Sequence, residues 1–247
     1  MSNSSKPSLL DALRAKAESV REHEAAARQP VERAREEINS CLWRAFRFLD
    51  EVMGHLEVIR PKVLRKFRLE HLLTLENPQF DGGFASFRRR GLSMQDELDH
   101  VQVFYRLAGV EPILLRVHPS AVMNVDERLR GSSLPFRYET QQDEKGIIRF
   151  GLFHVEPKIS GSVLFQPDYD RQVVEVSLSN VDRFETVRLE FRPAAIDVAA
   201  LEDLVGLMLG ESNGFLHRAP LALIRKKQDE APRVSPAGSG LTGSRTP

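Results

Sequence analysis

The chain of 247 residues carries a single cysteine, Cys41. One thiol excludes an intramolecular disulfide and any zinc site assembled from several cysteines. The histidines do not replace them. His23, His55, His71, His100, His118, His154 and His217 never fall three, four or five residues apart, the spacing that sets two ligands on one helical face, and there is no HExxH. A GxSxG elbow and a Walker loop are missing too, so no catalytic residue, metal or cofactor is expected. No apolar run approaches the roughly 18 residues of a membrane span. The opening MSNSSKPSLLDALRAKAES lacks the apolar stretch of a signal peptide, and the expected address is the cytoplasm. Charge is also balanced, 35 basic against 35 acidic residues. A protein whose whole surface is made for nucleic acid would carry an excess of cations, so only a local patch could serve.

Glycine and proline are scarce where Ala, Glu, Arg and Leu are abundant. Between Ser8 and Pro61 the only glycine is Gly54 and the only interior proline is Pro30. This composition predicts helix over residues 8–61. Steps of three and four from Leu10 trace a seam: Leu10, Leu13, Ala17, Val20, Glu24, Ala27, Val31, Ala34, Ile38, Cys41, Ala45, Phe48 and Val52. All but Glu24 are apolar, the pattern of a coiled coil. The register does not slip at Pro30, which predicts one helix with a bend there. From Leu42 a second apolar face appears, with Trp43, Phe46, Leu49, Met53, Leu56 and Ile59. A helix apolar on two sides needs two partners, so its second half is expected to pack on the domain while the first half projects. The seam from Leu10 to Cys41 then becomes a docking surface for a second copy or for another helical protein. In a parallel homodimer the two Cys41 thiols would face each other.

Beyond the helix the pattern changes. Residues 62–81 read as a basic linker and loop, and residues 82–227 as an α+β domain. Val101, Val103, Tyr105 and Leu107 alternate with polar residues, as do Ile113, Leu115 and Val117, then Val174, Val176 and Leu178, then Val187, Leu189 and Phe191. Period two separated by short turns predicts about eight antiparallel strands in a meander, one face covered and one solvated. A short helix is expected between Ser120 as its cap and Gly131 as its stop. A closing helix follows Asp197 and carries Leu201, Leu204, Val205, Met208 and Leu209 inward. The order of strands and closing helix resembles that of helix-grip proteins in topology alone, which implies a possible cavity between sheet and helix. Residues 1–7 are expected to be flexible, and 228–247, rich in Pro, Gly and Ser, to be disordered.

Two basic clusters are the candidate anion sites. Arg88, Arg89 and Arg90 end a predicted strand, and guanidinium forks suit phosphate and carboxylate. On a strand, Arg88 and Arg90 point one way and Arg89 the other. Pairing with Asp96, Glu97 and Asp99, or protection of a sheet edge, is the preferred account of them. In the second cluster Lys62, Arg65 and Lys66 share a face if the segment is helical, enough for weak, salt-sensitive phosphate binding. His100 and His154 are both in predicted strands and could meet across a sheet. The leading expectation is a non-enzymatic interaction or scaffold module acting through its first helix. The alternatives are a ligand or enzymatic cavity using Arg88, Arg90 or His154, and weak nucleic-acid binding through the two basic clusters.

Overall fold

The computed structural model describes residues 9–91, 97–211, 213–219 and 221–226; within them the side chains of 11–12, 15, 24–28 and 221–226 are not part of the description. Helix α1 runs unbroken from Leu9 to Ile59 with Pro30 inside it, about 76 Å at the usual rise per residue. It stops at Arg60, whose φ is 46°, ahead of Pro61, which cannot continue a helix. From Ile38 onward the helix is anchored. Ile38, Cys41, Leu42, Ala45, Leu49, Met53 and Leu56 are all buried.

Strands β1 (Lys66–Leu69) and β2 (Leu73–Glu76) form a hairpin inside the stretch expected to be linker and loop. Phe67, Leu69, Leu73 and Leu75 alternate inward and are buried, while Lys66 and Arg68 point outward. Residues before and after the hairpin run beside each other, with Lys62 opposite Gln79 and Val63 N–H donating to Pro78 O at 2.8 Å.

The remaining strands are β3 (Gln79–Arg89), β4 (Leu98–Ala108), β5 (Ile113–Val117), β6 (Phe136–Gln142), β7 (Ile148–Val155), β8 (Lys158–Asp168), β9 (Val173–Ser179), β10 (Glu185–Phe191) and β11 (Leu221–Lys226). The architecture is α+β, with antiparallel pairing throughout the described strands. Six strands form the main sheet in the order β11-β10-β9-β8-β4-β3, and three form a smaller sheet, β5-β7-β6. Eleven strands are thus described where eight were expected, the additions being the β1–β2 hairpin and β11.

The smaller sheet grows out of the larger one. In the main sheet Ala108 lies opposite Lys158, and Ile113 of β5 then lies opposite Val155 of β7. One long antiparallel ladder therefore bends where 109–112 passes 156–157. Gly109 N–H donates to Pro157 O across the bend at 2.7 Å. Helix α2 (Val122–Ser132) covers one face of this arm. Gly151 permits the approach, since a Cβ there would come within 2.6 Å of Val122. The cap and stop of α2 differ from expectation. Ser120 sits in a 3-10 turn, Pro119–Ala121, capped by His118, and the left-handed stop is Ser133 at φ 60°.

On the main sheet Val101, Val103, Tyr105 and Leu107 share a face with Val163, Phe165, Val174, Val176, Val187, Leu189 and Phe191, all buried. The second half of α1 and helix α3 (Val198–Leu209) complete the same core with Leu201, Leu204 and Met208. Asp197 caps α3 as expected, accepting from Ala200 N–H at 2.8 Å. The opposite face carries Ser86, Gln102, Ser162, Leu164 and Ser177 around an exposed pair, Phe84 and Phe104.

Candidate functional site

The two halves of α1 meet the rest of the chain differently. Leu10, Leu13, Val20 and Val31 are 57, 56, 51 and 45% exposed, whereas Ile38 and Cys41, next on the same seam, are 0 and 1% exposed. Ala17 is exposed and Ala34 is half-buried. Ala27 belongs to the helix backbone, but its side chain lies outside the description. The available seam therefore ends near Ala34. Ile38 and Cys41 are corrections to the predicted docking surface: they belong to the chain's own core and cannot face a second copy. Burial pushes the Cys41 thiol up to about 11, with Arg44 opposing slightly. Such a thiol stays protonated and inert in neutral solution.

The arginine triplet divides by function. Arg88 pairs across the ladder with His100, and Arg89 with Leu98. Arg90 leaves the strand and closes the hairpin, its N–H donating to Glu97 O at 2.8 Å. Its guanidinium is 3.7 Å from the Glu97 carboxylate and 5.1 Å from the centre of the Tyr169 ring. Arg35 of α1 reaches the same carboxylate at 3.6 Å. Around this corner Asn39 accepts from Leu98 N–H at 3.0 Å, and the Tyr169 hydroxyl donates to Leu98 O at 2.8 Å. Burial, with Glu97 close by, raises the Tyr169 phenol to about 12. Arg90 thus braces the sheet corner, and Glu97 links it to Arg35 of the helix. Asp96 lies outside the described residues, and Asp99 contacts His100 at 3.1 Å. Arg88 and Arg89 are exposed, with no ion pair to a described residue.

The second basic cluster is dispersed because its segment is extended chain leading into β1 and not helix. Arg65 pairs with Asp182, Lys66 pairs with Glu76 across β1–β2 at 2.7 Å, and Lys62 is exposed beside Gln79. No common cationic face forms. The two histidines expected to meet are on different sheets: His100 is on β4, and His154 on β7, 3.7 Å from Glu139. Among the described residues no cluster of three metal-ligating side chains occurs.

Three surface clefts surround the α1–sheet corner. The largest, about 780 Å³, lies between Ala34 and Glu37 of α1 and the segments 171–173 and 190–195. Its charges are mostly spent, Arg171 on Glu190 at 2.7 Å and Arg218 on Asp203 at 2.6 Å. A second, about 340 Å³, adjoins Arg90, Asp168 and Tyr169, and here Asp168 accepts from Asp170 and Arg171 N–H, an ordinary turn. A third lies on the helix itself, at Asn39, Trp43, Arg44 and Arg47. None of the three is lined by α3, where a grip-like cavity would open. Trp43 and Phe46 stack instead on Phe87, each with ring centroids 4.8 Å from it. No family model, curated protein or solved structure matches the chain.

Proposed function

We propose that the protein is a non-enzymatic docking module: the α+β domain anchors α1, and the half of α1 from Leu9 to Val31 is offered to a helical partner. The observation that carries this reading is the change along one seam. The stripe that is buried from Ile38 onward continues outward as Leu10, Leu13, Val20 and Val31, all exposed. An apolar stripe sustained over three heptads is a recurring way for one helix to recognise another. Helix formation has a costly nucleus, so an anchor that holds one end in helical form lowers the ordering cost of binding. The pairing of Arg65, Lys66 and Arg90 with acids of the same chain favours docking over the phosphate-binding alternative.

The test compares the wild-type chain with one carrying Leu13→Ser, Val20→Ser and Val31→Ser, both in an extract of the native cell and purified. In the extract the wild type should run in a larger complex and the variant as the 28.0 kDa monomer. Elution of both as monomers under both conditions would overturn the reading.

A further inference from the structure

The residues that flank the exposed seam select the partner, an inference that rests on the docking reading just given. With Leu10, Ala17, Glu24 and Val31 as one seam row and Leu13, Val20 and Ala27 as the other, the positions that border a coiled-coil partner follow. One border is Arg14, Arg21 and Arg28, continued by Arg35, an arginine every seventh residue. The other border is Leu9, Lys16, His23 and Pro30, without an acid. Both borders belong to the continuous helix Leu9–Ile59. Arg14 and Arg21 are exposed and have no ion pair to a described residue. Arg35, by contrast, is already committed to Glu97.

A second copy of this chain does not fit these borders. In a parallel pair each border faces the opposite border of the other helix, which sets Lys16 against Arg21. In an antiparallel pair like borders meet, so the arginine row faces an arginine row. Either way cations confront cations, and like charges across an interface act against pairing. A membrane fits no better. The segment 9–33 holds Arg14, Lys16, Arg21, Arg28 and Arg33 against Asp11, Glu18, Glu22, Glu24 and Glu32. It is neutral overall, whereas surface-bound helices carry a cationic polar face.

We infer that α1 docks on a helix of a different chain whose apolar seam is bordered by glutamate or aspartate. The acidic borders would meet Arg14 and Arg21 on one side and Lys16 on the other, all exposed. Apart from Glu24, the acids of the segment lie off the seam and its borders, where they do not oppose such a partner.

The probe is a synthetic peptide of about four heptads with leucine at the seam and glutamate on both borders. Its twin has lysine on both borders. Binding of each to the full-length chain is followed by calorimetry at low and at high salt. The acidic peptide should bind about tenfold or more tightly than the twin, the sum expected of several ordinary glutamate–arginine pairs, and the gap should narrow with salt. The variant Arg14→Glu, Arg21→Glu, Arg28→Glu should reverse the preference. Equal binding of both peptides, or a wild-type dimer that disappears when residues 1–33 are removed, overturns the acidic-partner inference and leaves the docking reading standing. Binding of neither peptide, with a monomeric chain, overturns both, as does recruitment to anionic vesicles without peptide binding.

Discussion

The two halves of α1 share one seam and differ in what stands beside it. From Leu42 onward the seam is joined by Leu49, Met53 and Leu56, fully or almost fully buried, and by Trp43 and Phe46, which stack on Phe87 of β3. Before Ala34 the neighbours of the seam are mainly charged, Arg14, Lys16, Glu18 and Arg21 among them. Apolar area next to the stripe, and not the stripe itself, decides whether a helix is drawn onto its own domain. The largest expected effect tests this directly. Leu49→Ala should cost about 2–5 kcal/mol in urea unfolding, because it empties a packed site. Leu13→Ala, the same change on the exposed half, should stay within about 0.5 kcal/mol. Comparable losses at both would mean that the outer half is buried after all.

Cys41 marks the inner half, and its titration gives the next effect. Burial raises its pKa from an ordinary value of 9.0 to about 11. Between these values the unfolded chain releases the thiol proton and the folded chain keeps it, so rising pH favours unfolding. The contribution is complete below pH 9 and is lost as pH climbs to about 11, roughly 2–3 kcal/mol in all. Measured against Cys41→Ala, the wild type should lose the more stability across that window. Equal pH slopes would place the thiol in water, on the docking face.

The border between the halves is the corner where Arg35 and Arg90 share Glu97. The Glu97 side chain is only 16% exposed. Glu97→Gln keeps its shape and removes the charge, and should cost about 1–3 kcal/mol because two guanidiniums lose their counter-ion. Proteolysis near Arg35 should rise in the same variant. No change in either measurement would mean that the inner half is held by apolar contacts alone.

Much of this division was legible in the sequence, for identifiable reasons. Broadening of the apolar face after Ser40 is a periodicity signal, and it located the change from projecting to packed helix. Alternation at 101–107 and 174–178 located main-sheet strands, and Asp197 announced α3. The β1–β2 hairpin was hidden by its own cations: Lys66 and Arg68 drew attention as a basic cluster, although Phe67, Leu69, Leu73 and Leu75 already alternated. Gly131 was expected to stop α2, yet the chain turned left-handed two residues later, at Ser133. The bent ladder was beyond local pattern, since both arms of the bend read as ordinary strands and only the pairing of Ala108 with Lys158 and Ile113 with Val155 reveals it. The corner at Glu97 was likewise half visible. Its partner Arg90 is near in sequence, but Arg35 arrives from α1 through the fold.

Pro30 supplies the finest test of the comparison. It is exposed within a continuous helix, at a place where proline lacks the N–H for the ladder and crowds the carbonyl one turn back. Pro30→Ala should therefore strengthen the helix locally, by up to about 3 kcal/mol on the propensity scale. If the outer half frays independently, little of that gain reaches global unfolding, and the urea midpoint should hardly move. The gain should appear instead as slower hydrogen exchange at residues 13–29, the turns beyond the proline. A clear rise in the urea midpoint would mean that the outer half unfolds with the domain, and the two halves would then be one cooperative unit.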